Sequence, residues 1–132
     1  MRSIVIAIVI LASFSCASKK VVTSKPETIP NIIGFWKGCD ERVIAFIQEN
    51  DSIYGICKEL GGLAEYGFEE DEVGYKVVVK ENGVYQGKVK WRYKDKPNAS
   101  WKNVEIKIDN NSYSDKGSDR CGANMNRVTN LN

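Results

Sequence analysis

Apolar and polar residues alternate strictly along residues 85–94. One set of alternate positions holds Tyr85, Gly87, Val89, Trp91 and Tyr93. The other set holds Gln86, Lys88, Lys90, Arg92 and Lys94. A period of two predicts a β-strand with one buried and one solvated face, because successive side chains of a strand point to opposite sides.

Residues 73–79 alternate in the same way, and Glu81-Asn82-Gly83 separates the two runs. Asn-Gly is a strong hairpin signal. A two-residue loop would mix the two faces, whereas a three-residue loop pairs Val79 with Tyr85 and keeps the apolar faces together. The sequence therefore predicts a three-residue loop with Gly83 in the left-handed conformation.

Further short strands are predicted elsewhere, at residues 43–47, 53–57, 104–108 and 124–128. Residues 47–55 resemble residues 79–87, and Tyr54 is matched with Tyr85 at a spacing of 31, one residue out of step with the two ranges. Residues 59–72 are predicted to form a loop that holds one helical turn. The result is an all-β domain of six to eight antiparallel strands, arranged as a sandwich or as a closed barrel, and closure leaves no exposed edge.

The first sixteen residues have the layout of an export signal. A positively charged start precedes nine apolar residues, 4–12, which are too few for a bilayer span of about 20 residues. Small residues and Cys16 follow, and the segment resembles a bacterial lipoprotein signal, although Ser13 stands where leucine is usual. The resemblance implies cleavage before Cys16 and lipid attachment to it. The alternatives are cleavage after Ala17, giving a periplasmic or secreted protein, and an uncleaved anchor.

The chain thus divides into three parts: a lipoprotein-type signal peptide (1–16), a flexible tether (17–31) and a β-barrel domain (32–132). The tether is polar with two prolines and has too little apolar surface to fold alone. The expected location is a membrane of a bacterial cell envelope, reached by the lipid anchor.

Gly34-Phe35-Trp36 opens the domain, and Arg127 comes near its end. A Gly-x-Trp on the first strand with a late arginine resembles the lipocalin or calycin superfamily, and in particular its small secreted bacterial members. The resemblance implies an up-and-down barrel of about eight strands in which Trp36 plugs one end and Arg127 covers the indole.

A barrel of this size holds either packed side chains or one small ligand. We expect bulky residues to face inward and to line an apolar pocket or else to fill the barrel. The candidate pocket residues are Phe46, Tyr54, Tyr75, Tyr85, Trp91 and Trp101.

Three cysteines remain once Cys16 is set aside, and an oxidising compartment favours one disulfide. If Trp36 lies opposite Arg127, as the lipocalin resemblance implies, Cys39 comes within reach of Cys121. We therefore favour the Cys39–Cys121 pair, with Cys39–Cys57 as the alternative.

The composition limits the chemistry. The chain has no histidine, which excludes histidine-based triads and the usual histidine zinc sites. It also lacks a Gly-x-Ser-x-Gly elbow and a CxxC motif, and the acidic residues 69–72 have no EF-hand spacing. A net charge of +2 gives no argument for nucleic acid. We predict no enzyme activity, no cofactor, no bound metal and a monomer.

The leading functional hypothesis is therefore an envelope-attached, non-enzymatic lipoprotein that binds a small apolar molecule or lipid in a lipocalin-like barrel. The alternative is an envelope interaction or inhibitor protein that acts through its surface, with a filled barrel as scaffold. The basic residues of positions 88–96 motivate that second hypothesis.

Overall fold

The computed structural model describes residues 30–131. The predicted signal peptide, the lipid-attachment site Cys16 and the tether up to residue 29 lie outside the described residues. Pro30 and Asn31, which the sequence assigns to the tether, contact the domain. The Pro30 carbonyl accepts a hydrogen bond from the Ile33 N–H at 3.1 Å. Within the described part of the chain, no helix has the length and apolar character to cross a bilayer.

Eight strands form the domain, and a short 3-10 helix lies in the connection between the third and fourth. The strands are β1 (Gly34–Lys37), β2 (Val43–Glu49), β3 (Ser52–Glu59), β4 (Val73–Glu81), β5 (Val84–Tyr93), β6 (Lys96–Asp109), β7 (Ser112–Lys116) and β8 (Asn124–Val128). The 3-10 helix is Gly61–Tyr66. Each strand pairs antiparallel with the next, and β8 pairs with β1. The predicted fold class, a small up-and-down barrel of eight strands, is confirmed.

The barrel has two different ends. The plug end carries residues 30–33 together with the tight turns after β2, β4 and β6. The loop end carries the connections after β1, β3, β5 and β7. The three longest of these connections follow β1, β3 and β7, and they supply the side chains that surround the loop end.

The β4–β5 hairpin has the predicted register. Val79 pairs with Tyr85, and Tyr75 pairs with Val89. Gly83 has a φ of 75°, in the left-handed region that glycine adopts without strain. The alignment of the two apolar faces and the Asn-Gly signal therefore predicted the register of this hairpin correctly.

The placement of Tyr54 inside the barrel is wrong. The β2–β3 turn pairs Glu49 with Ser52, which leaves a two-residue loop. Ile53 therefore takes the inward position that we assigned to Tyr54, and its side chain is buried. A slip of one residue exchanges the two faces of a strand. Tyr54 lies half-buried on the outer face.

Trp101 is also outside the barrel. β6 runs without interruption from Lys96 to Asp109, and its inward residues are Val104, Ile106 and Ile108. Trp101 has the opposite parity and is 37% exposed. Its ring lies under the ammonium groups of two lysines, Lys76 on β4 at 4.9 Å and Lys90 on β5 at 5.1 Å.

Aromatic residues fill the middle of the barrel. Trp36 and Tyr113 have ring centroids 5.7 Å apart, Tyr113 and Phe46 are 6.0 Å apart, and Phe46 and Tyr75 are 5.3 Å apart. All four residues are buried. This stack leads from the plug end towards the loop end and leaves the interior solid in between.

Candidate ligand-binding site

The plug end is closed by Trp36, whose side chain has no exposed surface. Its indole Nε1–H donates to the Ile32 carbonyl at 2.7 Å. Arg127 lies opposite Trp36 in the β1–β8 pairing, with its guanidinium carbon 4.3 Å from the ring centroid. Arg127 also donates to the carbonyls of Ile33, at 2.9 Å, and Asn31. The cation–π contact and these hydrogen bonds fix residues 31–33 across the end of the barrel.

This arrangement explains why the residue at position 34 is glycine. Its φ is 129°, and a Cβ at this position would lie 2.9 Å from Nη1 of Arg127. Only glycine allows the arginine to approach the backbone this closely. Gly34, Trp36 and Arg127, which the sequence analysis grouped as a plug, therefore lie in direct contact.

Tyr85 completes the plug end instead of lining a pocket. Its hydroxyl donates to Oδ1 of Asn31 and accepts from the Ile32 N–H at 3.3 Å. Burial raises the pKa of this hydroxyl above its ordinary value. Phe46 also lies away from the loop end, within the aromatic stack.

A cavity of about 250 Å³ lies at the loop end. Apolar side chains from three strands, the 3-10 helix and the loop that follows this helix form its floor. Polar and charged side chains from β4, β5, the 3-10 helix and the loops after β1 and β7 form one wall. The apolar lining comprises Ile44, Cys57, Leu63, Phe68, Val89 and Trp91. The polar lining comprises Arg42, Lys90, Arg92, Ser118, Asp119 and the hydroxyl-bearing Tyr66, Tyr75 and Tyr93, with Gly74 beside them.

Two of the six candidate pocket residues, Tyr75 and Trp91, line this cavity. Trp91 is held by its indole N–H, which donates to the Gly117 carbonyl at 2.8 Å. The ammonium of Lys102 covers the same ring at 3.7 Å from the centroid. The tryptophan thereby links β5 and β6 to the connection after β7.

Arg42 is the central charge of the polar wall and is only 5% exposed. Its Nε donates to both carboxylate oxygens of Asp40, at 2.8 and 3.0 Å. Its Nη2 donates to Asp40 at 2.7 Å and to Asp119 at 2.8 Å. Burial disfavours the charged guanidinium, but the hydrogen bonds to the two carboxylates outweigh burial and raise the pKa of Arg42. The arginine is therefore charged at every physiological pH.

A hydrogen-bonded series of side chains extends from the polar wall into the barrel. The Tyr75 hydroxyl and Ser118 Oγ are 3.0 Å apart, and Ser118 Oγ donates to Oδ2 of Asp115 at 2.5 Å. The Tyr113 hydroxyl donates to the same oxygen at 2.6 Å. Burial raises the pKa of Asp115, although its hydrogen bonds with Ser118 and Tyr113 favour the carboxylate.

The mouth of the cavity carries paired charges. Glu72 accepts from Lys90 at 2.9 Å and from Arg92. The guanidinium of Arg92 lies 5.3 Å from the centre of the Phe68 ring. Lys94 contacts Glu65 at 2.8 Å. The acidic loop after β3 thus neutralises part of the basic row on β5.

The disulfide joins Cys39 and Cys121, whose Cα atoms are 4.9 Å apart. This confirms the favoured pair and excludes Cys39–Cys57. The bond connects the loop after β1 to the loop after β7, and these loops carry Arg42 and Asp119. Cys57 is a buried free thiol on the cavity floor, where burial raises its pKa to about 11.

Sequence reasoning missed Arg42, Ser118 and Asp119. The sequence held a signal for Arg42 and Asp119, because both lie within three residues of a cysteine of the predicted disulfide. Asp40-Glu41-Arg42 follows Cys39, and Asp119 lies two residues before Cys121. A Cys39–Cys121 bond necessarily brings these charges together. Leu63 and Phe68 gave no signal, because their inward placement depends on how the loop after β3 folds over the barrel.

Among residues 30–131 there is no group of three or more acidic or cysteine side chains placed to hold a metal ion. Fold and site define the protein as a small closed antiparallel barrel, plugged at one end and with an apolar cavity behind a charged wall at the other. No protein-family model, curated protein or solved structure matches this chain.

Proposed function

We propose that this protein is a non-enzymatic, envelope-attached lipoprotein whose lipocalin-like barrel binds one small apolar molecule at the loop end. The observation that carries the proposal is the cavity of about 250 Å³, with its floor of apolar side chains. Small-molecule sites combine such a floor with a few placed polar groups.

The size of the cavity defines the size of the ligand. A cavity of roughly 150 Å³ lined by apolar side chains stays dry and binds benzene, and typical sites for drug-sized ligands begin at about 300 Å³. A volume between these limits suits one aromatic ring with a short substituent. It is too small to enclose a whole lipid with two acyl chains.

The lipocalin-like assignment rests on the plug of Gly34, Trp36 and Arg127 together with the eight-stranded barrel. The export and lipid attachment rest on the sequence of the first sixteen residues. The neutralised basic row gives less support to the alternative of a surface-acting protein, because Glu72 contacts Lys90 and Arg92.

Replacing Val89 by phenylalanine tests the binding site. Val89 lies on the cavity floor, so the larger ring occupies the ligand's place. We expect Val89→Phe to weaken the binding of n-propylbenzene by about tenfold or more. The measurement is a ¹H–¹⁵N NMR titration of the chain from Ala17, which keeps every residue of the described barrel.

Val78→Phe is the matched control, because Val78 is exposed on the outer face of β4. We expect this variant to bind n-propylbenzene as the parent protein does. Equal affinity of the parent protein and Val89→Phe, or no saturable binding by the parent, would contradict the proposed site.

The lipid anchor has its own test. Expression of the full chain in a bacterium that is fed a radiolabelled fatty acid should label the protein, and Cys16→Ser should abolish the label. Cys57→Ser serves as the control, since its thiol is buried in the folded domain. If the parent protein carries no label and is cleaved after Ala17, the lipoprotein assignment is wrong and the protein is a secreted form without a lipid anchor.

A further inference from the structure

Two of the cations that line the cavity share a single acidic partner. Lys90 and Arg92 both donate to Oε1 of Glu72, Lys90 at 2.9 Å. The three side chains are largely buried, with exposed fractions of 15% for Lys90, 23% for Arg92 and 13% for Glu72. Burial alone would raise the pKa of Glu72, but the hydrogen bonds that it accepts outweigh burial and lower the pKa. Glu72 is therefore ionised at neutral pH, and this cluster keeps one unbalanced positive charge.

The same cluster has more hydrogen-bond donors than acceptors. Arg92 has five N–H donors and Lys90 has three, and their contacts with Glu72 use one of each. Among the buried side-chain nitrogen and oxygen atoms of residues 30–131, Nε of Arg92 alone has no hydrogen-bond partner. Buried polar groups are normally paired, so this atom marks a guanidinium that the protein satisfies incompletely. Nε itself is covered by protein atoms, and we therefore expect a ligand to meet Arg92 at its terminal nitrogens.

The other charged residues of the lining, Arg42 and Asp119, are satisfied within the protein. Both oxygens of Asp119 accept hydrogen bonds at 2.8 Å, one from Nη2 of Arg42 and one from the Gly122 N–H. Asp40 also accepts from Arg42, which gives this second cluster one excess negative charge. Asp40 does not line the cavity, and Asp119 is 37% exposed to water, which screens its charge. An ammonium group on a ligand thus finds no uncommitted carboxylate among the lining residues.

The unbalanced positive charge lies at the edge of the apolar floor. The guanidinium carbon of Arg92 is 5.3 Å from the centre of the Phe68 ring, and Phe68 is part of that floor. A carboxylate accepts strong, charge-assisted hydrogen bonds from guanidinium and ammonium groups. Its single negative charge also equals the charge that Glu72 leaves unbalanced. An apolar molecule that carries one carboxylate therefore matches both the floor and the donors beside it.

We propose that the ligand of the cavity is a small carboxylic acid bound as its anion, with one apolar ring or short chain on the floor and the carboxylate against Arg92 and Lys90. This inference rests on the proposed binding function and adds the chemical class of the ligand. The floor contributes to the binding of any apolar molecule of suitable size, and the two cations select the anion among them.

The test compares phenylacetate with phenylacetamide, which has the same shape but no charge, and with 2-phenylethylamine, which has the opposite charge. Dissociation constants come from ¹H–¹⁵N NMR titrations of the chain from Ala17 at neutral pH. We expect phenylacetate to bind more tightly than phenylacetamide by about tenfold, and 2-phenylethylamine to bind most weakly. Equal binding of phenylacetate and phenylacetamide, or tighter binding of 2-phenylethylamine, would overturn the proposal.

Two substitutions with opposite expected effects locate the carboxylate. Arg92→Gln removes the unbalanced charge and should weaken phenylacetate by about tenfold, while n-propylbenzene changes by less than about threefold. Glu72→Gln removes the competing negative charge but keeps an oxygen that accepts from the two cations. It should tighten phenylacetate by about threefold. The amide spectrum of each variant reports whether it is folded.

Lys88→Gln is the matched control, because it removes a positive charge from the same strand at a position that does not line the cavity. Lys88 is exposed and donates to Asn103 on the neighbouring strand. We expect this variant to change the affinity for phenylacetate by less than about threefold.

The outcomes separate the two proposals. If n-propylbenzene binds the parent protein and Arg92→Gln weakens both ligands equally, the carboxylate position is wrong while the cavity remains a binding site. The position is likewise wrong if Glu72→Gln weakens phenylacetate, or if Lys88→Gln weakens it as much as Arg92→Gln does. If neither n-propylbenzene nor phenylacetate binds the parent protein, the proposed function itself fails.

Discussion

Replacing Cys39 and Cys121 together by serine is expected to lower the free energy of unfolding by about 4 kcal/mol. The bond closes a loop of 82 residues, and the chain-entropy model gives a stabilisation of that order for so long a loop. A loss of this size is a large fraction of the 5–15 kcal/mol that is usual for folded domains. Urea denaturation of the chain from Ala17 measures it.

Cys57→Ser is the control, because it changes a buried thiol without breaking a covalent link. Adding a reductant to the parent protein should reproduce the effect of the double variant. A loss below about 1 kcal/mol on removing the bond would show that the two loops are held in place by their other contacts alone. One of those contacts is the ion pair of Arg42, in the loop after β1, with Asp119, in the loop after β7.

Replacing Trp36 by alanine is expected to cost about 3–5 kcal/mol, the usual range for large-to-small changes of a buried aromatic residue. The substitution removes a fully buried ring and leaves the Ile32 carbonyl and the Arg127 guanidinium without their contacts to the indole. Denaturation by urea, followed by circular dichroism, measures the change.

Trp101→Ala is the comparison, since Trp101 is partly exposed on the outer face, where the ammonium groups of Lys76 and Lys90 lie over its ring. We expect it to cost less than about 1 kcal/mol. Equal losses for the two tryptophans would contradict the assignment of Trp36 as the plug. Arg127→Lys should lie between them, because lysine keeps the charge but cannot stack on the ring and reach two carbonyls at once.

The fold could be predicted where local patterns determine it. In the β4–β5 hairpin, the period of two and the position of Gly83 fix both the faces and the register. The same kind of argument failed for Tyr54, because its match with Tyr85 was one residue out of step, and Ile53 is the residue that faces inward. A single residue in a turn decides which side chains face inward, and Asn50 reaches the left-handed conformation there without glycine.

The candidate site could be predicted only in part. Tyr75 and Trp91 lie on strands whose alternation is readable from the sequence, and both line the cavity. Arg42, Ser118 and Asp119 belong to loops after different strands, and barrel closure brings them together. No periodic pattern along the sequence indicates that residues of these loops lie close together. The disulfide prediction succeeded because pairing Trp36 with Arg127 fixes the neighbouring positions on β1 and β8.

Xenon binding to a crystal of the chain from Ala17 tests most directly whether the loop end holds an open apolar cavity. Xenon enters apolar cavities without needing hydrogen bonds, so its position is independent of the identity of the natural ligand. The structure predicts a xenon peak among Ile44, Leu63 and Val89, and no peak in the aromatic stack beside Trp36. A barrel without xenon at the loop end, with side chains filling that volume, would contradict the binding function.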